Sequence, residues 1–184
     1  MGNSMSSVVI SGDTSGAITI AAPSVAGTNT ATLPASTGTV MVSGNMPAFS
    51  AYLSSNQTPS NATYTKVQLN AELFDTANCF DSSTNYRFTP NVAGYYQVQG
   101  ACRISSSVPT TYVWSIYKNG SNYAELNVSG TPAVYDSRTV STLIYLNGST
   151  DYIELYCYCN GTSSQTFNGG FNTTWLSGSL VRSA

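Results

Sequence analysis

The stretch "GYYQVQGACRI", Gly94 to Ile104, decides the fold class. In an extended chain Tyr96, Val98, Cys102 and Ile104 fall on one side and Tyr95, Gln97, Gln99 and Arg103 on the other. That period of two marks a half-buried strand. Downstream, "TYVWSIYKNG", "NYAELNV", "RTVSTLIYLNG", "DYIELYCYCNG" and "GFNTTWLSGSLV" continue the series with no helical period between them. Asn119-Gly120, Asn147-Gly148 and Asn160-Gly161 predict turns, because both residue types tolerate positive φ. So many closely spaced strands imply an antiparallel sandwich or barrel.

Upstream, the composition changes near Met46-Pro47, and every Cys, Trp and Tyr of the chain follows that point. Before it lie the short β-prone runs "SSVVISG", "AITIAAP", "TATLPA" and "GTVMVSG", separated by Gly or Pro, and no charge interrupts the chain between Asp13 and Lys66. Residues 1–46 therefore read as an N-terminal arm or stem and residues 47–184 as a head.

Charge narrows the function. Of 184 residues only 8% are charged, against the usual ~25%. The six cations Lys66, Arg87, Arg103, Lys118, Arg138 and Arg182 are scattered singly in a chain of net charge -2, so no basic patch is expected to neutralise phosphates and nucleic-acid binding is not expected. "MGNSMSSVV" lacks the basic and apolar regions of a signal peptide, and no apolar run approaches ~18 residues, so a soluble chain made in the cytoplasm, without membrane insertion, is expected. Gly2 and Ser6 fit a myristoylation pattern, and seven Asn-x-Ser/Thr sequons begin at Asn56, Asn61, Asn119, Asn127, Asn147, Asn160 and Asn172. Both read as chance in a chain rich in Gly, Ser, Thr and Asn.

The chain has no His, which removes the commonest general base, the Ser-His-Asp arrangement and His-ligated zinc. Glu154 shares a strand face with Tyr152 and Tyr156, yet a glycosidase needs a second facing carboxylate, and none can be placed from the sequence. Asp75 and Asp81 flank an expected loop without the spacing of a calcium loop. With Cys79 and Cys102, Cys157 and Cys159 make four thiolates formally available, but the spacing lacks the usual metal clip, and Cys157 and Cys159 share the face of Ile153 and Leu155, so they read as core. A Cys102–Cys157 disulfide stays geometrically open, although cytosolic synthesis favours thiols. No enzyme activity, cofactor or metal is expected.

In "DYIELYCYC" the inward residues leave Tyr152, Tyr156 and Tyr158 together on the opposite face, where a monomer would expose an apolar patch. Such a patch usually marks an interface; the alternative is cover by another part of the same chain.

From Phe49 onward the head resembles the complement C1q-like family, related to the tumour necrosis factor jelly roll. The resemblance rests on Phe49, "KVQLN" at Lys66 to Asn70, Phe74-Asp75, "YRFTPNVAGYYQVQG" at Tyr86 to Gly100, "YKNG" at Tyr117 to Gly120, "LIYLNGSTDYIEL" at Leu143 to Leu155, and "WLSGSLV" at Trp175 to Val181. The family's Gly-Asp before its late strand is loosened here to Gly148-Ser149-Thr150-Asp151. The resemblance implies an all-β protein whose C-terminal head is a ten-strand antiparallel jelly roll, assembled as a homotrimer of binding heads rather than enzymes. It gives the expected trimer interface as Tyr95, Tyr152, Tyr156, Tyr158, Trp175, Leu176 and Leu180.

The leader "GDTSGAITIAAPSVAGTNTATLPASTGTV" looks like segments of bacteriophage tail fibres and other virion proteins. Together the two resemblances imply a trimeric phage fibre or spike, located in the virion. Its N-terminal arm would hold other virion proteins through Ile18, Ile20, Val25, Leu33, Val40 and Val42, and its head would bind a host-surface glycan or protein. The rival is a capsid fibre or cement protein that decorates and stabilises the phage head. Receptor-binding residues are unknown from sequence; the loops Ser105 to Thr111 and Thr162 to Gly169 are candidates by position alone.

Overall fold

The computed structural model describes residues 7–25, 27–33, 35, 37–38, 40–106, 109–130, 133–162 and 165–184. Gly2 and Ser6 lie outside the described residues, as do positions 107, 108, 163 and 164 within the two candidate receptor loops. The chain forms two compact units, Met1–Gly38 and Thr39–Ala184.

The first unit contains a hairpin of β1 (Ser7–Ser11) and β2 (Ala17–Ala21). Val8 stands opposite Ile20 and Ile10 opposite Ile18, so four aliphatic side chains share one face while Val9 and Thr19 share the other. The reversal uses Gly16 at φ +77°, a conformation that glycine reaches without a Cβ clash. Ala17–Ala21 thus has a strand partner within its own chain. The described residues around Leu33 and Val40 form no strand.

In the second unit a 3-10 turn, Ser43–Asn45, precedes β3 (Ala48–Tyr52), β4 (Thr65–Lys66), β5 (Ala71–Asp75), β6 (Phe80–Asp81), β7 (Arg87–Phe88) and β8 (Gly94–Ser106). The longer strands follow: β9 (Pro109–Lys118), β10 (Ser121–Ser129), β11 (Tyr135–Leu146), β12 (Ile153–Gly161), the short β13 (Gln165–Phe167) and β14 (Trp175–Ser183). One sheet runs β11-β8-β14-β3-β5 with β13 also on β8; the other runs β10-β9-β12-β7-β6 with β4 also on β12. Among the described residues each sheet has six strands, the two beyond a ten-strand jelly roll being strands of two or three residues.

The core lies between the sheets. Tyr96, Val98, Cys102 and Ile104 point into it, as the alternation of β8 predicts, and meet Trp114, Ile116, Leu155, Cys157 and Cys159 from the facing sheet. The rings of Phe49 and Phe88 stack at 4.1 Å. The Trp114 indole Nε1 donates to the Cys102 carbonyl at 2.5 Å, joining the two sheets through a buried hydrogen bond. All four cysteines are free thiols.

Three turn expectations fare differently. Asn119 (φ 52°) and Gly120 (φ 77°) close the β9–β10 hairpin as expected. Asn147-Gly148 also turns, but it carries the chain from β11 in one sheet to β12 in the other. A Cβ on Gly148 would lie 2.3 Å from the Ala93 nitrogen. Asn160-Gly161 is not a turn: β12 runs through it, with Gly161 opposite Pro109 beyond a register shift. There the ladder to β9 outweighs local turn preference.

Candidate functional site

The outward face of the β12 sheet carries the tyrosine stripe, and the chain covers that face itself. Tyr117 stacks on Tyr156 at 4.0 Å, Tyr64 packs against Tyr158 at 5.2 Å, and the Arg87 guanidinium lies 4.2 Å over the Tyr152 ring. Beneath them Val113 and Ser115 are buried although they point outward. Burial raises the pKa of Tyr64, Tyr117 and Tyr156; Glu125 adds to the shift at Tyr64 and Glu154 to that at Tyr156. Tyr152, Tyr156 and Tyr158 are therefore half-buried in the single chain.

Glu154 is buried on this face. It pairs with Lys66 Nζ at 2.5 Å, which supplies the counter-charge that a buried carboxylate requires. The other candidate acids are occupied too. Asp75 accepts the amides of Ala77 and Phe80, and Asp81 accepts those of Ser83, Thr84 and Asn85. The amide of Thr84 is the main cause that holds the Asp81 carboxyl well below its ordinary pKa. Among the described residues no three His, Cys, Asp or Glu side chains gather as a metal site. Burial pushes the Cys157 thiol up and the Cys159 thiol to about 12, which disfavours the thiolate that reactivity needs.

The exposed apolar face belongs to the other sheet. The register sets Tyr95 opposite Tyr145, and Leu143 opposite Gln97, and these outward side chains line up with Ser177 and Ser179 of β14 and with Phe74 of β5. Leu143, Phe74, Tyr95 and Tyr145 are each 40% exposed or more. The Tyr95 and Tyr145 rings meet edge to face at 5.5 Å. Between Tyr95 and Trp175 the face is uncharged, with Gln97, Gln99, Ser141, Ser177 and Ser179. A shallow groove of about 220 Å³ opens there beside Phe74, Ala48 and Gln97.

Of the residues expected at the trimer interface, Tyr95 and Trp175 lie on this face. Leu176 and Leu180 do not, because they point between the sheets and are buried in the core of the single chain. Sequence reasoning missed Leu143, Tyr145 and Phe74; only the pairing of β11 and β5 across the sheet brings them beside Tyr95. All six residues expected at the virion contact, Ile18, Ile20, Val25, Leu33, Val40 and Val42, are exposed. Ile18 and Ile20 are joined on one hairpin face by Val8 and Ile10, which were not singled out. Val40 and Val42 belong to the second unit.

Two sandwiched antiparallel sheets with this connectivity define the class: an all-β jelly roll of the TNF/C1q-like type. The fold is similar to that of murine APRIL, at a TM-score of 0.57 and 11% identity over 74% of this chain and 99% of that one. It is also similar to the PRD1 vertex protein P5, at a TM-score of 0.52 and 14% identity over 73% of this chain and 72% of that one. In sequence, the uncharacterized protein YqcC of Bacillus subtilis strain 168 is 27% identical over 124 residues, which cover 59% of this chain and 33% of that protein. The chain thus spans about a third of that relative's length. No family model matches the chain.

Proposed function

We propose that this chain is a non-enzymatic structural protein of a bacteriophage virion, a homotrimer whose arm docks on other virion proteins and whose head binds the host cell surface. One observation carries the assembly: a sheet face that exposes Tyr95, Leu143, Tyr145 and Phe74, uncharged between Tyr95 and Trp175 and bordered by Arg182, which stands opposite Tyr95 on β14. Repeated around a three-fold axis, such a face buries aromatic and aliphatic surface and keeps like charges out of its middle. In this arrangement Tyr95 and Trp175 face the axis, and the self-covered tyrosine sheet faces away from it. The aliphatic face of β1 and β2 is the contact to the particle, because a two-stranded hairpin with one apolar face needs cover to be stable.

A second reading places the trimer on the capsid, as a vertex spike or cement protein. The fold likeness to a phage vertex protein favours it. The two readings separate by location and copy number on the particle, measured by immunogold labelling and quantitative mass spectrometry of purified virions. A few trimers at the tail with host-cell binding by the purified protein support adhesion. Many copies on the capsid, no cell binding, and capsid loss on deletion of the gene would sink adhesion in favour of cementing.

A further inference from the structure

A second concavity, away from the apolar face, has walls made of amides. It measures about 330 Å³ and is lined by Leu53, Asn56, Gln57, Gln68, Asn70 and Tyr86 among others, with no charged side chain. This volume lies near the lower end of ligand pockets, roughly 300 to 1,000 Å³, and suits one or two sugar rings.

The amides are held in place. Asn70 Oδ1 accepts the Ser54 amide at 2.9 Å and Asn56 Oδ1 accepts the Gly169 amide at 2.9 Å, so each carboxamide has its oxygen committed to the backbone. Each leaves its Nδ2 donors without a partner among the described residues. Gln57 is fixed at both ends: Nε2 donates to the Lys66 carbonyl at 2.8 Å and Oε1 accepts the Gln68 amide at 2.9 Å. The Gln68 side chain itself and the Tyr86 ring have no hydrogen-bond or ring partner among the described residues. The backing is rigid too, since a Cβ on Gly169 would lie 2.5 Å from the Ser55 backbone and Gly170 N donates to the Leu53 carbonyl at 2.7 Å. Tyr86 sits at φ +51°, an uncommon conformation for a bulky residue that is concentrated at functional sites.

We propose that this pocket binds a neutral sugar ring of a surface polysaccharide. Oriented amide donors match ring hydroxyls, which both accept and donate. The half-buried Tyr86 ring offers an apolar face to the C–H face of a pyranose. The absence of charge in the lining disfavours anionic ligands such as phosphates or sialic acids. A single open pocket of this kind binds weakly, and three copies on one particle multiply the avidity. The inference rests on the reading of the head as a host-surface binder and supplies its ligand class.

The test uses the full chain with glucose, galactose, N-acetylglucosamine and the anionic N-acetylneuraminic acid, each at about 10 mM, a level suited to millimolar affinity, followed by saturation-transfer NMR. At least one neutral sugar is expected to give transfer. The substitutions Gln68→Ala and Tyr86→Gly, neither of which removes an intrachain bond, are expected to weaken that binding about tenfold or more, as loss of one well-placed polar or stacking contact does. Unchanged thermal unfolding shows that both variants fold. Transfer from no neutral sugar, transfer from the anionic sugar alone, or transfer undiminished in both variants overturns the assignment. Binding of the full chain to host cells is scored in parallel. Cell binding that persists in both variants overturns the pocket and leaves the adhesion reading standing, whereas a full chain that binds neutral sugar but no cells overturns adhesion and leaves the pocket standing.

Discussion

Trp114 illustrates how one side chain serves both sheets. Its indole fills the core and its Nε1 donates to the Cys102 carbonyl across the sandwich. Trp114→Phe keeps most of the ring volume but leaves that buried carbonyl with one partner fewer, and a loss of about 2 to 4 kcal/mol in urea unfolding is expected from the lost bond plus the small cavity. A change under about 0.5 kcal/mol, the size of ordinary surface substitutions, would show that the bond carries no net stability. Titration belongs to this scale too. The carboxyls of Asp81 and Asp151 have lowered pKa values, chiefly through the Thr84 amide and the Asn119 side chain respectively. Their contribution is present above the unfolded carboxyl value of ~3.9 and lost as pH falls through the lower folded values. Burial raises the Cys157 and Cys159 thiols, so the unfolded chain loses those protons first and stability falls as pH rises past ~8.5. With no His in the chain, urea midpoints are expected to be level between about pH 5 and 8 and to fall on either side. A step near pH 6.5, where only a His would titrate unperturbed, would contradict this account.

At the scale of the element, β1 and β2 form an exposed hairpin with Val8, Ile10, Ile18 and Ile20 on one face. Ile10→Asp with Ile18→Asp is expected to abolish incorporation into particles, since it sets two charges on the face proposed to dock. The head should keep its unfolding transition, because the hairpin belongs to the other compact unit. Incorporation at the normal copy number would remove the hairpin from the attachment model. The strand β12 shows why the tyrosine stripe misleads when read alone. Its alternation correctly divides Ile153, Leu155, Cys157 and Cys159 from Tyr152, Tyr156 and Tyr158. What covers the tyrosines is Tyr64, Arg87 and Tyr117, which lie far from them in sequence and reach them only through sheet pairing.

For the whole molecule, the exposed face of the β8–β11 sheet sets the expected assembly. Leu143→Lys with Tyr145→Lys places like charges on the face proposed to meet at the three-fold axis, and multi-angle light scattering should then report a monomer where the unaltered chain reports a trimer. Both side chains are exposed in the single chain, so the monomer should remain folded by circular dichroism. An unaltered chain that is monomeric at micromolar concentration would refute the trimer.

Pattern and composition alone determined the all-β class, the inward set of β8, the core placement of Cys157 and Cys159, and the Asn119-Gly120 hairpin. Each depends on the neighbours of a residue along the chain: alternation of side chains, or tolerance of positive φ, operates over a few residues. Tertiary structure alone decided which sheet face is left uncovered, that Glu154 is buried beside Lys66, that Leu176 and Leu180 point inward, and that Asn56, Gln68, Asn70 and Tyr86 share one pocket. Those properties arise from pairing between strands tens of residues apart. A strand's alternation separates its two faces, but the faces of other strands determine which one is covered.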